Sequence, residues 1–169
     1  METFGSSGSG PEQFDAPGGV AVDSNDRLYI ADFYNQRIQV LAKDGSSVRQ
    51  YGETGKIGIR KGRFNYPTDV ALLPDNSLVV ADAYNDRIQI FGADGRFVRK
   101  WGGLFGMNIS GSRPGWFRTA TGVTVGPENN IFVADFYNHR IQKFTRKGKF
   151  LAIIGTEGIA PASSIFPLI

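Results

Sequence analysis

Three copies of one nonapeptide constrain this chain more than any other feature. Ala31-Asp32-Phe33-Tyr34-Asn35-Gln36-Arg37-Ile38-Gln39 returns as Ala81-Asp82-Ala83-Tyr84-Asn85-Asp86-Arg87-Ile88-Gln89 and as Ala134-Asp135-Phe136-Tyr137-Asn138-His139-Arg140-Ile141-Gln142. Seven of nine positions are fixed and the two free ones fall at the same places, which chance does not produce. Each copy sits inside a longer unit. It begins 17 residues after an aromatic opener, Phe14, Phe64 or Phe117, and a glycine closes the unit 38 residues after that opener, at Gly52, Gly102 or Gly155. Constant spacing leaves no insertions within the unit, so the unequal stretches from Gly52 to Phe64 and from Gly102 to Phe117 are the loops.

Each unit reads as four short strands. The first is small and apolar, Val20-Ala21-Val22, Val70-Ala71-Leu72 or Val123-Thr124-Val125, as suits a crowded interior strand. Asp23-Ser24-Asn25-Asp26, Pro74-Asp75-Asn76-Ser77 and Pro127-Glu128-Asn129-Asn130 carry turn chemistry and lead to a second strand ending at the nonapeptide. The third strand starts at Arg-Ile-Gln and stops at Asp44-Gly45, Asp94-Gly95 or Lys147-Gly148, where glycine supplies the positive φ of a hairpin turn. The fourth runs into Tyr51, Trp101 or Ile154. Four antiparallel strands in about 40 residues make a propeller blade. The expected fold is therefore all-β, a β-propeller with blades at 14–52, 64–102 and 117–155.

Composition agrees. Thirteen Phe, six Tyr and 22 Gly with Asn- and Asp-rich punctuation favour many short strands and tight turns. Nineteen basic against 16 acidic residues leave a net charge of +3, too small a bias to identify a partner. The absence of cysteine excludes disulfides, thiolate metal sites and thiol nucleophiles within the chain. No signal-peptide pattern and no run near 18 apolar residues occurs, so the default expectation is the cytoplasm, with no membrane partner.

The ends raise a closure problem. A four-stranded face measures on the order of 15 by 17 Å, and three blades expose two such faces. Monomers rarely leave apolar patches of that size in water. Either a second copy closes the ring as a six-bladed homodimer, or missing blades of a longer protein do. Phe4-Gly5 has the form of the closing Tyr51-Gly52, so residues 1–13 read as the end strand of a preceding blade plus a loop. Residues 156–169 read as a stub leading to a next blade or as a dimer clasp.

The run Gly19-Val20-Ala21-Val22-Asp23, then Leu28-Tyr29-Ile30-Ala31-Asp32, then Asn35-Gln36-Arg37-Ile38-Gln39-Val40 resembles the NHL repeat, and Asn138-His139-Arg140-Ile141 resembles its name-giving region. The likeness covers about Phe14 to Gly155. It implies a six-bladed propeller. It also implies several functions: protein-binding platforms, RNA-binding surfaces, sensor domains of bacterial kinases, and a zinc-dependent lyase. A fold does not choose among these; the site must.

Asp32, Asp82 and Asp135 form a tempting carboxylate set, but an Asp at a strand end typically accepts N–H bonds from the backbone of the next turn. Their presence in every unit makes them structural, as it does Asn35, Asn85, Asn138, Arg37, Arg87 and Arg140. His139 is the sole histidine, at the free position filled by Gln36 and Asp86; because the copies disagree there, these three residues join the candidate ligand face. Zinc catalysis usually needs three His-rich protein ligands, and no Gly-x-Ser-x-Gly elbow is present. No cofactor motif is found. In a propeller the inter-blade connections share a face with the loops between second and third strands. That places Lys56, Arg60, Lys61 and Arg63 beside Tyr34, Tyr84 and Tyr137, with Arg113, Trp116 and Arg118 in the next connection. Such a face suits a protein hot spot or phosphate contact with base stacking; the plain alternative is a solvated loop with Trp116 packed beneath it. Asp69 replaces Gly19 and Gly122 and should face the central channel. The leading expectation is a non-enzymatic platform for a protein or peptide on this face. The alternatives are a single-stranded nucleic acid bound there, and a metal-dependent hydrolase, lyase or lactonase built on channel carboxylates such as Asp69.

Overall fold

The computed structural model describes residues 3–104, 106, 109–155 and 166–167. Three antiparallel meanders follow one another. Sheet I holds β3 (Pro17–Val22), β4 (Leu28–Asp32), β5 (Arg37–Leu41) and β6 (Ser47–Gly52), after a parallel two-residue pair of β1 (Ser6–Ser7) and β2 (Gln13–Phe14). Sheet II holds β7 (Pro67–Leu72), β8 (Leu78–Asp82), β9 (Arg87–Phe91) and β10 (Phe97–Trp101). Sheet III holds β11 (Ala120–Val125), β12 (Ile131–Asp135), β13 (Arg140–Phe144) and β14 (Phe150–Ile154), with β15 (Phe166–Pro167) paired antiparallel to β14 as a fifth strand. No helix among the described residues is long and apolar enough to cross a membrane.

The first strand of each sheet starts three residues earlier than the apolar pattern indicates. The reason is a bulge: pairing jumps from Pro17 with Asp32 to Val20 with Ile30, and the same slip follows Pro67 and Ala120. An extra residue there leaves no period-two signal in the sequence. The third-to-fourth strand turns behave as the Asp-Gly pattern requires. Ala42 N–H donates to Ser46 O and Gly45 N–H to Ala42 O, with Gly45 at φ +83. The pairing of β5 with β6 slips between Val40 and Leu41, so the hairpin pairs a turn with a glycine bulge.

The innermost strands β3, β7 and β11 lie side by side, and the sheets pack face to face as in a propeller. Between sheets I and II the core is Ala31, Ile38, Val40 and Tyr51 against Phe64, Val80 and Phe91. Between II and III, Ala81, Ile88 and Trp101 meet Phe117, Val133 and Phe144, with the Trp101 and Phe144 rings 5.7 Å apart. The inner strand of sheet I has no such cover on its outward side among the described residues. Val20 is 59% exposed there, while its counterpart Val70 in sheet II is 4% exposed.

Candidate functional site

The repeated polar residues all lie at one end of the sheets, where they bind the loop leading into each sheet. Asp32 Oδ1 accepts Asp15 N–H at 2.8 Å; Asp82 and Asp135 accept Asn65 and Arg118 N–H in the same way at 2.7 Å. The second oxygen of each carboxylate accepts the Nε–H of Arg37, Arg87 or Arg140, always at 2.7 Å. It also accepts from Asn35, Asn85 or Asn138 and from Gln39, Gln89 or Gln142. The guanidinium then donates onward to lead-in carbonyls: Gly10 and Gln13, Arg60 and Arg63, or Arg113 and Trp116. The carboxylate's backbone partner is therefore the loop before the sheet, not the turn after the Asp. A buried ion pair of this kind persists because each charge also gains further hydrogen bonds. With those donors engaged, the repeated Asp set has a full structural role.

The free position of the nonapeptide closes the next junction. Gln36, Asp86 and His139 all adopt left-handed backbone, at φ +59, +48 and +52. Gln36 Oε1 accepts Tyr66 N–H at 2.6 Å, and Asp86 Oδ1 accepts Thr119 N–H at 2.6 Å. Burial pushes the Asp86 carboxyl above its usual range, against the Thr119 N–H that favours the anion. His139 ends the connection from β12 to β13 in the last sheet and is exposed.

The same end carries the aromatic residues. Tyr34, Tyr84 and Tyr137 are 55%, 56% and 55% exposed, each with its backbone N–H bonded to a lead-in carbonyl. Around the junction of sheets I and II, Phe33, Tyr34, Tyr66 and Tyr84 form a continuous cluster. Tyr66 lies 4.9 Å from Phe33 and 5.0 Å from Tyr84, centroid to centroid. The basic residues divide. Arg118 lies over Tyr137 at 5.8 Å and Arg113 over Trp116 at 5.7 Å, while Trp116 packs on the backbone of Gly111. Lys56 and Arg63 instead share Glu53 as ion-pair partner. Arg60 and Lys61 project into solvent, and among the described residues neither makes a cation–π contact. The sequence gives no mark of the part that Phe33 and Tyr66 play, because Tyr66 stands where the other units have Ala16 and Thr119, and repetition carries no sign of it.

Asp69 lies on the innermost strand of sheet II. Its Oδ2 accepts Val123 N–H of sheet III and its Oδ1 accepts Val70 N–H, both at 2.8 Å. Gly19 and Gly122 flank it, and a β-carbon on Gly19 would collide with the carboxylate. Burial raises the Asp69 carboxyl above its usual range despite those two donors. Both oxygens are thus engaged in joining the inner strands. Among the described residues no group of three His, Asp or Glu side chains is arranged to hold a metal ion.

Successive four-stranded meanders, each tied to its lead-in loop by one polar network, define a repeat protein of propeller-like build. The NHL repeat model matches residues 14–41, 64–91 and 117–144, and the chain belongs to the NHL-repeat family. It is 43% identical over 53 residues to Protein brain tumor of Drosophila melanogaster, a match covering 31% of this chain and 5% of that protein. It is 41% identical over 46 residues to Protein lin-41 of Caenorhabditis elegans, covering 27% of this chain and 4% of that one. Among solved structures, virginiamycin B lyase from Staphylococcus aureus superposes with TM-score 0.62 at 20% identity, over 85% of this chain and 42% of that one. Kuenenia stuttgartiensis hydrazine synthase superposes with TM-score 0.64 at 13% identity, over 88% and 38%. At such identities the likeness is one of fold. The chain spans less than half the length of these solved structures, and its matches cover about a twentieth of the curated relatives.

Proposed function

We propose that this chain is a non-catalytic binding scaffold whose ligand, a peptide or protein segment, lies across the Phe33, Tyr34, Tyr66 and Tyr84 cluster. The four-ring cluster, with Tyr34 and Tyr84 exposed and Phe33 and Tyr66 half-buried between them, carries this reading. Clustered Tyr side chains offer large amphipathic contact area with only two side-chain torsions to immobilise, which is how interface hot spots are built. The repeated Asp, Asn, Arg and Gln side chains are occupied in joining strands to loops, which leaves recognition to the rings and the loop rim. Panning a phage-displayed random dodecapeptide library on the intact chain is expected to yield aromatic- or proline-containing peptides. A Tyr34→Ala, Tyr84→Ala double variant should weaken a selected peptide by about tenfold or more. A selected peptide bound equally well by that variant would remove the cluster as the site.

A second reading, a single-stranded nucleic acid on the same face, draws on the Arg118–Tyr137 and Arg113–Trp116 pairs and the exposed Arg60 and Lys61. A dodecamer of uridine serves as its probe. Affinity falling steeply between about 50 and 200 mM salt would favour it, and absence of binding at the lower salt would end it.

A further inference from the structure

Two internal junctions follow one rule, and the two outward faces carry its separated halves. At both junctions a left-handed residue ending the loop after the second strand, Gln36 or Asp86, accepts the N–H of a left-handed lead-in residue, Tyr66 or Thr119. At both, a phenyl ring covers the closing glycine of the preceding sheet. A β-carbon on Gly52 would stand 2.8 Å from the Phe64 ring, and one on Gly102 2.9 Å from the Phe117 ring. On the outward side of sheet III, His139 holds the acceptor position at φ +52, and Gly155 lies in a cleft lined by Tyr137, Asn138, Arg140 and Ile153. On the outward side of sheet I, Ala16 holds the donor position at φ +50, with no acceptor for its N–H among the described residues. Beside it lie Phe14 and the exposed Val20 and Val22.

We propose that two copies of the chain pair head to tail through two equivalent junctions of these faces, with His139 of each accepting the Ala16 N–H of the other and Gly155 receiving its Phe14. A second copy is the occupant because the donor, the ring and the apolar strand that the sheet III face fits are all displayed by this same sequence. Two such junctions would bury on the order of 1,000 Å² in total, taking each face as about 15 by 17 Å, which reaches the size of a specific interface.

One segment of the chain competes for the junction. Gly5 lies under the Phe14 ring, where a β-carbon would stand 2.6 Å from it, as Gly52 lies under Phe64. Phe4 covers Gly45 as Trp101 covers Gly148. Phe4-Gly5 thus takes in cis the place that Ile154-Gly155 of the second copy must occupy, and association requires that it swing out.

The chain lacks cysteine, so single-cysteine variants report the geometry cleanly. Ala16→Cys and His139→Cys chains treated with a short bismaleimide should give cross-linked dimers only when mixed. In sedimentation equilibrium, Phe4→Ser should tighten self-association by about tenfold, the equivalent of ~1.4 kcal/mol of competing ring burial. Val20→Glu, checked for folding by circular dichroism, should abolish association. Cross-linking within either variant alone, none in the mixture, or association unchanged by Phe4→Ser would overturn the proposal.

Discussion

Sheets I and II carry nearly the same sequence and nearly the same polar network, yet their apolar faces fare differently. The Asp32 carboxylate is as buried and as fully bonded as Asp82, although among the described residues only the short β1–β2 pair precedes sheet I. Val20, by contrast, lies open while Val70 is covered. The polar network is internal to the unit, assembled from its own lead-in loop and strands. Apolar burial belongs to the junction and exists only where a neighbour supplies the other half.

That contrast predicts mutational costs. Asp82→Ala should be the most damaging single change, by about 3–5 kcal/mol, because it leaves a buried Arg87 without its counter-charge. If the network is internal, Asp32→Ala should cost nearly as much in urea titration; a markedly milder effect would mean that neighbouring sheets support the network after all. Glycine substitutions probe the junction. Gly102→Ala forces a β-carbon against the Asp86 carbonyl and the Phe117 ring at φ +123 and should cost about 3 kcal/mol. In the unassociated chain Gly155→Ala meets nothing nearer than 3.8 Å among the described residues and should cost only its left-handed backbone, about 1 kcal/mol. Equal costs would break the distinction between closed and open junctions.

The smallest effect should come from Asp69, which joins two inner strands. Its native carboxyl binds a proton more tightly than in the unfolded chain, whose value is near 3.8. Its contribution to stability is therefore present below that value and is lost as pH rises through the raised native one. Asp69→Asn gives up one acceptor at every pH but removes this titration. Relative to the native chain, the variant should gain stability as pH rises through that window, measured by chemical denaturation. A constant difference would show that the carboxyl does not titrate abnormally.

Much of this is legible in the sequence because it is written three times. The spacing of 17 residues from opener to nonapeptide is also the spacing from Asp15 to Asp32, from Asn65 to Asp82 and from Arg118 to Asp135. The constant interval is the imprint of a single hydrogen bond, made once in every unit. What repetition hides is the job of the variable position. Gln36 and Asp86 differ in length and charge yet reach the same backbone donor, so variation there reads as functional difference when it is partly substitution of equivalent acceptors. The aromatic cluster is half hidden for the opposite reason. Tyr34 and Tyr84 recur, while Tyr66, which links them, does not.

The hydrogen bonds of each network connect residues no more than 28 positions apart, whereas each internal junction adds one side-chain bond from the variable position of the nonapeptide. A unit of this kind can be copied, inserted or exchanged as a block without rewriting its neighbours. An acceptor at one left-handed residue and a ring over one glycine recur at both internal junctions, beside a few further bonds such as Arg49 and Arg99 donating to the Ala93 and Lys147 carbonyls and Asp69 accepting Val123 N–H. For a lineage that lengthens proteins by duplication, that is a small specification to inherit, and it leaves the surface loops between the units free to diverge toward different ligands.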